Sequence, residues 1–362
     1  MKYSNVCVEG LAYSLPEEIV TSEELEARLQ PLYGRLRLPE GRLELMTGIR
    51  ERRFWSPGML PSEQSIVSAN RLLDAAHFDR SQIGALIHAS VCRDYLEPAT
   101  ACGVHHATGL PAECLVYDVS NACLGILNGM VQVANLIELG QIRAGLVVGT
   151  ESARPLVENT IRTLNADTSL AREQMKLAVA SLTIGSGSAA VLLTHKSLSR
   201  TGNRLLAATA RAHSIGHELC RGQENVSGAA AAGGMIAPLM QTDSERLLEQ
   251  GVVAAQAAFA NFLSETGWSR EEISKTICHQ VGSAHRKLLL KTLGLDAERD
   301  FTTYETLGNT GSVALPITLA KAIETGHLQP GERVALLGIG SGINVLMLAL
   351  EYQSKVASAH VR

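Results

Sequence analysis

Cys123 stands in Tyr117-Asp-Val-Ser-Asn-Ala-Cys-Leu-Gly-Ile-Leu-Asn-Gly-Met130, at the head of an apolar run reaching Leu139. Asp118 to Asn121 reads as a strand end, a turn and a helix cap. The run after it predicts a buried helix from Ala122, with Cys123 in its first turn. A thiol there meets unpaired backbone N–H groups and the positive end of the helix dipole, and both favour a thiolate. The same N–H groups suit an oxyanion formed from a thioester carbonyl, which makes Cys123 a candidate acyl-accepting nucleophile. Taken alone, a cysteine in an apolar helix is more often a small core residue. Cys7, Cys92, Cys102, Cys114, Cys220 and Cys278 are read that way.

Two further positions could serve such a nucleophile. His279 follows the short strand pattern Thr276-Ile277-Cys278, so a strand end would aim it into a site. Asn309 lies thirty residues on, between Gly308 and Gly311, where small neighbours allow a ligand close. Both side chains can donate a hydrogen bond to a developing enolate or carbonyl oxygen. Singly, each has a plainer reading, a satisfied histidine or a turn asparagine. Leu337-Gly-Ile-Gly-Ser-Gly-Ile-Asn344 follows an apolar strand pattern and could offer backbone N–H groups to a negative oxygen. It lacks a complete dinucleotide fingerprint. Ile184-Gly-Ser-Gly-Ser188 is similar and reads as tight packing where the first half closes.

The elements that must position these residues occur twice. Arg80, Ile83 and Ile87 match Arg270, Ile273 and Ile277, each 190 positions later. Ala134, Ile137, Glu138 and Gly140 match Ala320, Ile323, Glu324 and Gly326, 186 later. Each half shows a helix (about 64–76, or 246–265), a short apolar strand (85–89, or 275–278) and a second helix ending near Gly109 or Gly294. Then come Tyr117-Asp-Val or Tyr304-Glu-Thr, a turn, a long apolar helix and a last strand (144–148, or 333–337). Strands alternating with helices predict a buried α/β sheet, here as two similar halves, 1–195 and 196–362, about a pseudo-twofold axis. The 186 offset carries Cys123 onto Asn309, so the two should meet near that axis.

Composition narrows the remaining classes. The chain has 362 residues, 46% hydrophobic and 19% charged, an ordinary globular balance. A net charge of -4 argues against binding nucleic acid through bulk electrostatics. Seven cysteines without CxxC pairs predict free thiols, no structural metal and a reducing cytoplasm. No apolar run is long enough to span a membrane.

Together, Asn-Ala-Cys-Leu-Gly, His-Gln-Val, Gly-Asn-Thr-Gly-Ser and the closing Gly-Ile-Gly-Ser-Gly-Ile-Asn resemble the β-ketoacyl-acyl-carrier-protein synthase III branch of the thiolase superfamily. Thr47-Gly-Ile-Arg-Glu-Arg-Arg53 resembles that branch's coenzyme A-side motif. Arg93-Asp-Tyr-Leu-Glu-Pro-Ala-Thr100 and Leu219-Cys-Arg-Gly222 are similar to its OleA-like subgroup. The resemblance implies a five-layered αβαβα fold and a cytoplasmic homodimer. It also implies an acyltransferase that forms C–C bonds by Claisen condensation and needs no cofactor beyond coenzyme A thioester substrates. It implies Cys123, His279 and Asn309 as catalytic residues and the Cys123 and Ser341 N–H groups as the oxyanion hole. Glu97 would reach the partner's site as a base. The branch usually carries His-Gln-Ala-Asn with an arginine soon after. This chain has His-Gln-Val-Gly instead, which leaves Arg50 and Arg286 as candidate carrier contacts. Two chemistries follow. In one, Glu97 takes the α-proton of a second acyl-CoA. In the other, a malonyl group on acyl carrier protein decarboxylates and needs no base. A non-catalytic acyl-binding or assembly member of the fold is the reading from another class.

Overall fold

The computed structural model describes residues 1–224, 238–354 and 357–359, with side chains described except at 173, 174, 223, 224, 238, 239 and 357–359. The apolar segments become strands covered on both faces. Ala144–Glu151 and Gly187–His195 are buried almost throughout, as expected of strands with helices on either side. The first group of strands runs, in sheet order, Leu115–Val119, Ile83–Ala89, Ala144–Glu151, Gly187–His195 and Val6–Ser14. The first three are parallel and the last two antiparallel to their neighbours. The second group runs Lys275–Cys278, Arg333–Gly340, Asn344–Glu351 and Arg204–Ala212, with a bridge from Thr276 to Asp300 at its outer edge. The Cys7–Arg204 pairing joins the two groups, and the isolated Lys2–Ala207 bridge runs beside it.

Helices Gly125–Glu138 and Ala314–Glu324 form the middle layer. Their apolar side chains share one core with both strand groups, including Ile87, Val147 and Val191 on one side and Leu336, Leu346 and Leu348 on the other. Each fully buried Ile, Leu or Val there contributes about 1.5–3 kcal/mol. Pro61–Ala75 and Thr100–Thr108 cover the outside of the first group, and Ser244–Thr266 and Ser283–Leu293 the outside of the second. The result is the expected α/β arrangement of five layers. The paired outer helices Thr100–Thr108 and Ser283–Leu293 end alike, on Gly109 and Gly294 in the left-handed region.

Two local expectations change. The central helix starts at Gly125, not Ala122, because Ala122 takes φ 44°, which no right-handed helix admits. Tyr304 opens a helical turn, Tyr304–Leu307, where its counterpart Tyr117 lies in a strand. Tight packing at 184–188 is as expected: a Cβ on Gly185 would overlap the Leu307 carbonyl oxygen. Among the described residues, no helix is long and apolar enough to cross a membrane.

Candidate active site

Cys123 sits just past the strand Leu115–Val119 and two residues before the helix Gly125–Glu138. The left-handed Ala122 turns the chain sharply between them, at a cost of order 1 kcal/mol for a residue with a Cβ. The following helix packs unusually close: a Cβ on Gly125 would lie 3.1 Å from the Ala89 carbonyl carbon and 3.3 Å from Ser312 Cβ. Ser312 is three residues beyond Asn309, so the starts of the two middle helices do meet. On the other side, a Cβ on Gly340 would lie 3.6 Å from the Cys123 backbone nitrogen. The turn bearing Ser341 therefore borders the nucleophile. Asn344 Nδ2 donates to Asn121 Oδ1 at 3.1 Å, which fastens that turn to the nucleophile's own. Ile343 and His213 exchange backbone hydrogen bonds of 3.2 and 2.8 Å and hold its far side.

The surroundings act against the expected thiolate. Burial pushes the Cys123 thiol up to about 12, with the Cys220 thiol and the Glu151 carboxylate adding to the rise. Lying two residues ahead of the helix, Cys123 gains too little from its dipole to offset desolvation. Cys220, read from sequence as core, is thus a neighbour of the nucleophile.

His279 follows Lys275–Cys278 and its N–H donates to Leu337 O at 2.8 Å, so the adjoining strand Arg333–Gly340 fixes its backbone. The side chain is buried, and neither ring nitrogen has a protein partner among the described residues. Burial and the nearby His285 push it down to about 3. It is therefore a neutral imidazole at pH 7, a hydrogen-bond donor through N–H and not a cation.

Asn309 is buried in a loop held at both of its backbone groups. Its N–H donates to Thr183 O and its carbonyl accepts from Gly185 N, both at 2.9 Å. Its Oδ1 accepts from Gly311 N at 3.0 Å, which leaves the amide's NH2 end to donate outward. Gln280 fastens this loop to His279. Gln280 Oε1 accepts from Thr303 N at 2.7 Å and Tyr304 N at 2.9 Å, while Nε2 donates to Phe301 O at 2.8 Å.

Glu97 is not brought to Cys123 within one chain. It lies exposed in the loop after Ile83–Ala89, beside Tyr95 and Leu96, which are 58% and 86% exposed. Arg50 is exposed on the segment that donates its N–H to Glu305 O at 2.9 Å. Arg286 is tied into the fold. Its Nε donates to the fully buried Asp300 carboxylate at 2.6 Å, and its Nη2 to Ala297 O at 2.6 Å. These contacts anchor the guanidinium on a buried carboxylate.

One residue escaped the sequence reading. Glu151 ends its strand buried, accepting from Ser312 Oγ at 2.5 Å, Ser312 N at 3.2 Å and Val91 N at 3.1 Å. The only signal was a charged residue closing an otherwise apolar strand.

Comparison with known proteins places this geometry. The family model described as 3-oxoacyl-[acyl-carrier-protein] synthase III matches residues 117–214, and that of its C-terminal part matches 263–352. The chain is 43% identical over 97% of its length to the whole acyl-CoA:acyl-CoA alkyltransferase of Shewanella oneidensis. It is 35% identical over 96% of its length to 98% of that of Xanthomonas campestris. A cerulenin-bound crystal structure of Xanthomonas campestris OleA superposes with a TM-score of 0.90 at 34% identity, over 97% of this chain and 98% of that one. A cysteine-to-serine variant of that protein with bound lauric acid and lauroyl-CoA gives 0.89 at 34% identity, over 97% and 100%. The chain therefore belongs to the OleA-like acyltransferases, in the 3-oxoacyl-acyl-carrier-protein synthase III branch of the thiolase superfamily.

Proposed function

We propose that this enzyme joins two acyl-CoA molecules by Claisen condensation without decarboxylation, through an S-acyl Cys123. The observation that carries the residue roles is the buried, neutral His279, with no protein partner for either nitrogen among the described residues, hydrogen-bonded through its backbone to the strand Arg333–Gly340 whose end borders the nucleophile's turn. Such a group is costly unless substrate uses it. In the first step the Cys123 sulfur attacks the thioester carbonyl, and the Cys123 and Ser341 N–H groups receive the oxyanion. The carbon–sulfur bond to coenzyme A breaks, and the departing thiolate leaves with the thiol's proton. In the second step another acyl-CoA lays its carbonyl oxygen against the His279 and Asn309 N–H donors. Glu97 of the partner subunit removes the α-proton. The carbanion attacks the acyl-Cys123 carbonyl, a C–C bond forms, and the cysteine sulfur leaves as a β-ketoacyl-CoA is released.

Three features support the coenzyme A reading over malonyl transfer from acyl carrier protein. The relatives carry acyl-CoA:acyl-CoA names, Glu97 lies on an exposed loop free to enter a second subunit, and the Arg286 guanidinium is already paired with Asp300. A homodimer in the cytoplasm completes the proposal.

The test is incubation with myristoyl-CoA alone, followed by mass spectrometry. The wild type should yield the condensed product, Cys123→Ala none, and Glu97→Gln about a hundredfold less. A wild type that requires malonyl-acyl-carrier protein would overturn the chemistry. Normal turnover by Glu97→Gln would overturn the base.

A further inference from the structure

Glu151 stands where three parts of the site come together. Its Oε1 accepts from Ser312 Oγ and N, at the start of the helix that follows Asn309. The same oxygen accepts from Val91 N at 3.1 Å, and Oε2 from Cys92 N at 3.4 Å, at the root of the loop carrying Glu97. Its own backbone carbonyl accepts from Trp55 Nε1 at 3.1 Å. The residue is buried, and among the described residues no cation forms an ion pair with it. A carboxylate buried without a counter-ion is destabilising unless its hydrogen bonds repay the desolvation. Hydrogen bonds to an ionised acceptor are roughly twice as strong as neutral ones. That strength is spent on two loops and not within one element.

We propose that Glu151 is a positioning residue for the condensation step, holding the Asn309 turn of its own site to the root of the Glu97 loop. This rests on the roles assigned above to Asn309 and Glu97. Since Glu97 serves the partner's site, each Glu151 braces its own enolate-oxygen donor together with the base lent across the dimer. Neither is needed when Cys123 is first acylated. Removing the brace should therefore separate the two half-reactions. The charge has a second consequence: it opposes thiolate formation at Cys123, the direction in which Glu151 acts on that thiol.

The experiment compares wild type, Glu151→Gln and Glu151→Asp in the full-length enzyme with myristoyl-CoA. Intact-protein mass spectrometry follows acyl-Cys123, and product analysis follows condensation. Both variants should acylate within about threefold of wild type and condense at least tenfold more slowly, so that acyl-enzyme accumulates. The glutamine loses the charge, and the aspartate, one methylene shorter, cannot span both loops. The pH profile of Cys123 alkylation by iodoacetamide should move to lower pH in Glu151→Gln only. That shift follows from the charge alone; the readout that a purely structural role would not give is acyl-enzyme accumulating at near-normal acylation. Wild-type condensation in Glu151→Gln, or acylation falling in step with condensation, would overturn the proposal. If Glu151→Gln fails to fold, Ser312→Ala, which removes the 2.5 Å contact, should show the same accumulation more weakly, and normal condensation there would also overturn it. Glu97→Gln runs in parallel. Normal turnover by that variant would refute the base assignment, independently of what the Glu151 variants show.

Discussion

Burial holds the Cys123 thiol near 12 and the His279 imidazole near 3, so at neutral pH the two groups are both uncharged. At pH 8 about one Cys123 in ten thousand is then a thiolate. Alkylation by iodoacetamide should climb about tenfold per pH unit from 7 to 10, and prior acyl-CoA should block it. A plateau below pH 9 would show that the thiol is far more acidic than its surroundings dictate. The same neutrality suits the role proposed for His279, donating to an enolate oxygen without giving its proton away. Residue type and order singled out Cys123, His279 and Asn309 in the sequence as candidates, because a motif narrows which side chains can act together. The thiol's acidity was not legible. It depends on Cys220 and Glu151, which come from distant segments, and on desolvation that only packing creates. The Arg286–Asp300 pair was not legible for the same reason: nothing near Arg286 in sequence announces that Asp300 will lie 2.6 Å away.

The elements that carry the site are held by a few buried side chains that no repeat could reveal. Gln280 ties the end of Lys275–Cys278 to Phe301, Thr303 and Tyr304 through three hydrogen bonds of 2.7–2.9 Å. Replacing it with alanine leaves one buried carbonyl and two buried N–H groups unpaired. The cost should be about 2–4 kcal/mol, read as a lower urea midpoint. The loss in condensation should exceed the loss in Cys123 acylation, because the freed segment leads to Asn309. Equal losses would indicate general destabilisation only. Helix and strand order was legible because the hydrophobic pattern repeats. The start of Gly125–Glu138 was not, since Ala122, Cys123 and Leu124 are as apolar as the helix itself. Tertiary contact decides there: the Asn121–Asn344 hydrogen bond and the approach of Gly340 hold those residues in a turn. Tyr304 departs from its counterpart Tyr117 because its N–H is held by Gln280 and not by a neighbouring strand.

At the scale of the whole molecule, two strand groups closing on shared helices leave titratable groups deep inside. His88 and His285 are pushed down to about 4 and His279 to about 3, in each case chiefly by burial. At His88 the carboxylates of Asp118 and Asp94 oppose the fall without cancelling it. Between pH 6.5 and 4 the unfolded chain binds protons at these positions and the folded chain does not. Stability must therefore fall as pH drops below about 6.5, by up to about 1.4 kcal/mol per pH unit for each histidine. Asp300, raised by burial, works the other way, taking its proton in the folded state at a higher pH than in the unfolded chain. It is one group against three. On the alkaline side Cys7, Cys92, Cys114, Cys123 and Cys278 are all raised, so the unfolded chain loses protons above about pH 9 that the folded chain keeps. Urea midpoints should therefore peak between pH 7 and 9 and decline on both sides. His88→Gln, which lies outside the catalytic set, should flatten the acid limb by roughly a third of its slope while leaving the alkaline limb in place. An acid limb unchanged by that substitution would mean that His88 takes up its proton in the folded enzyme, and that the Asp118 and Asp94 carboxylates outweigh its burial.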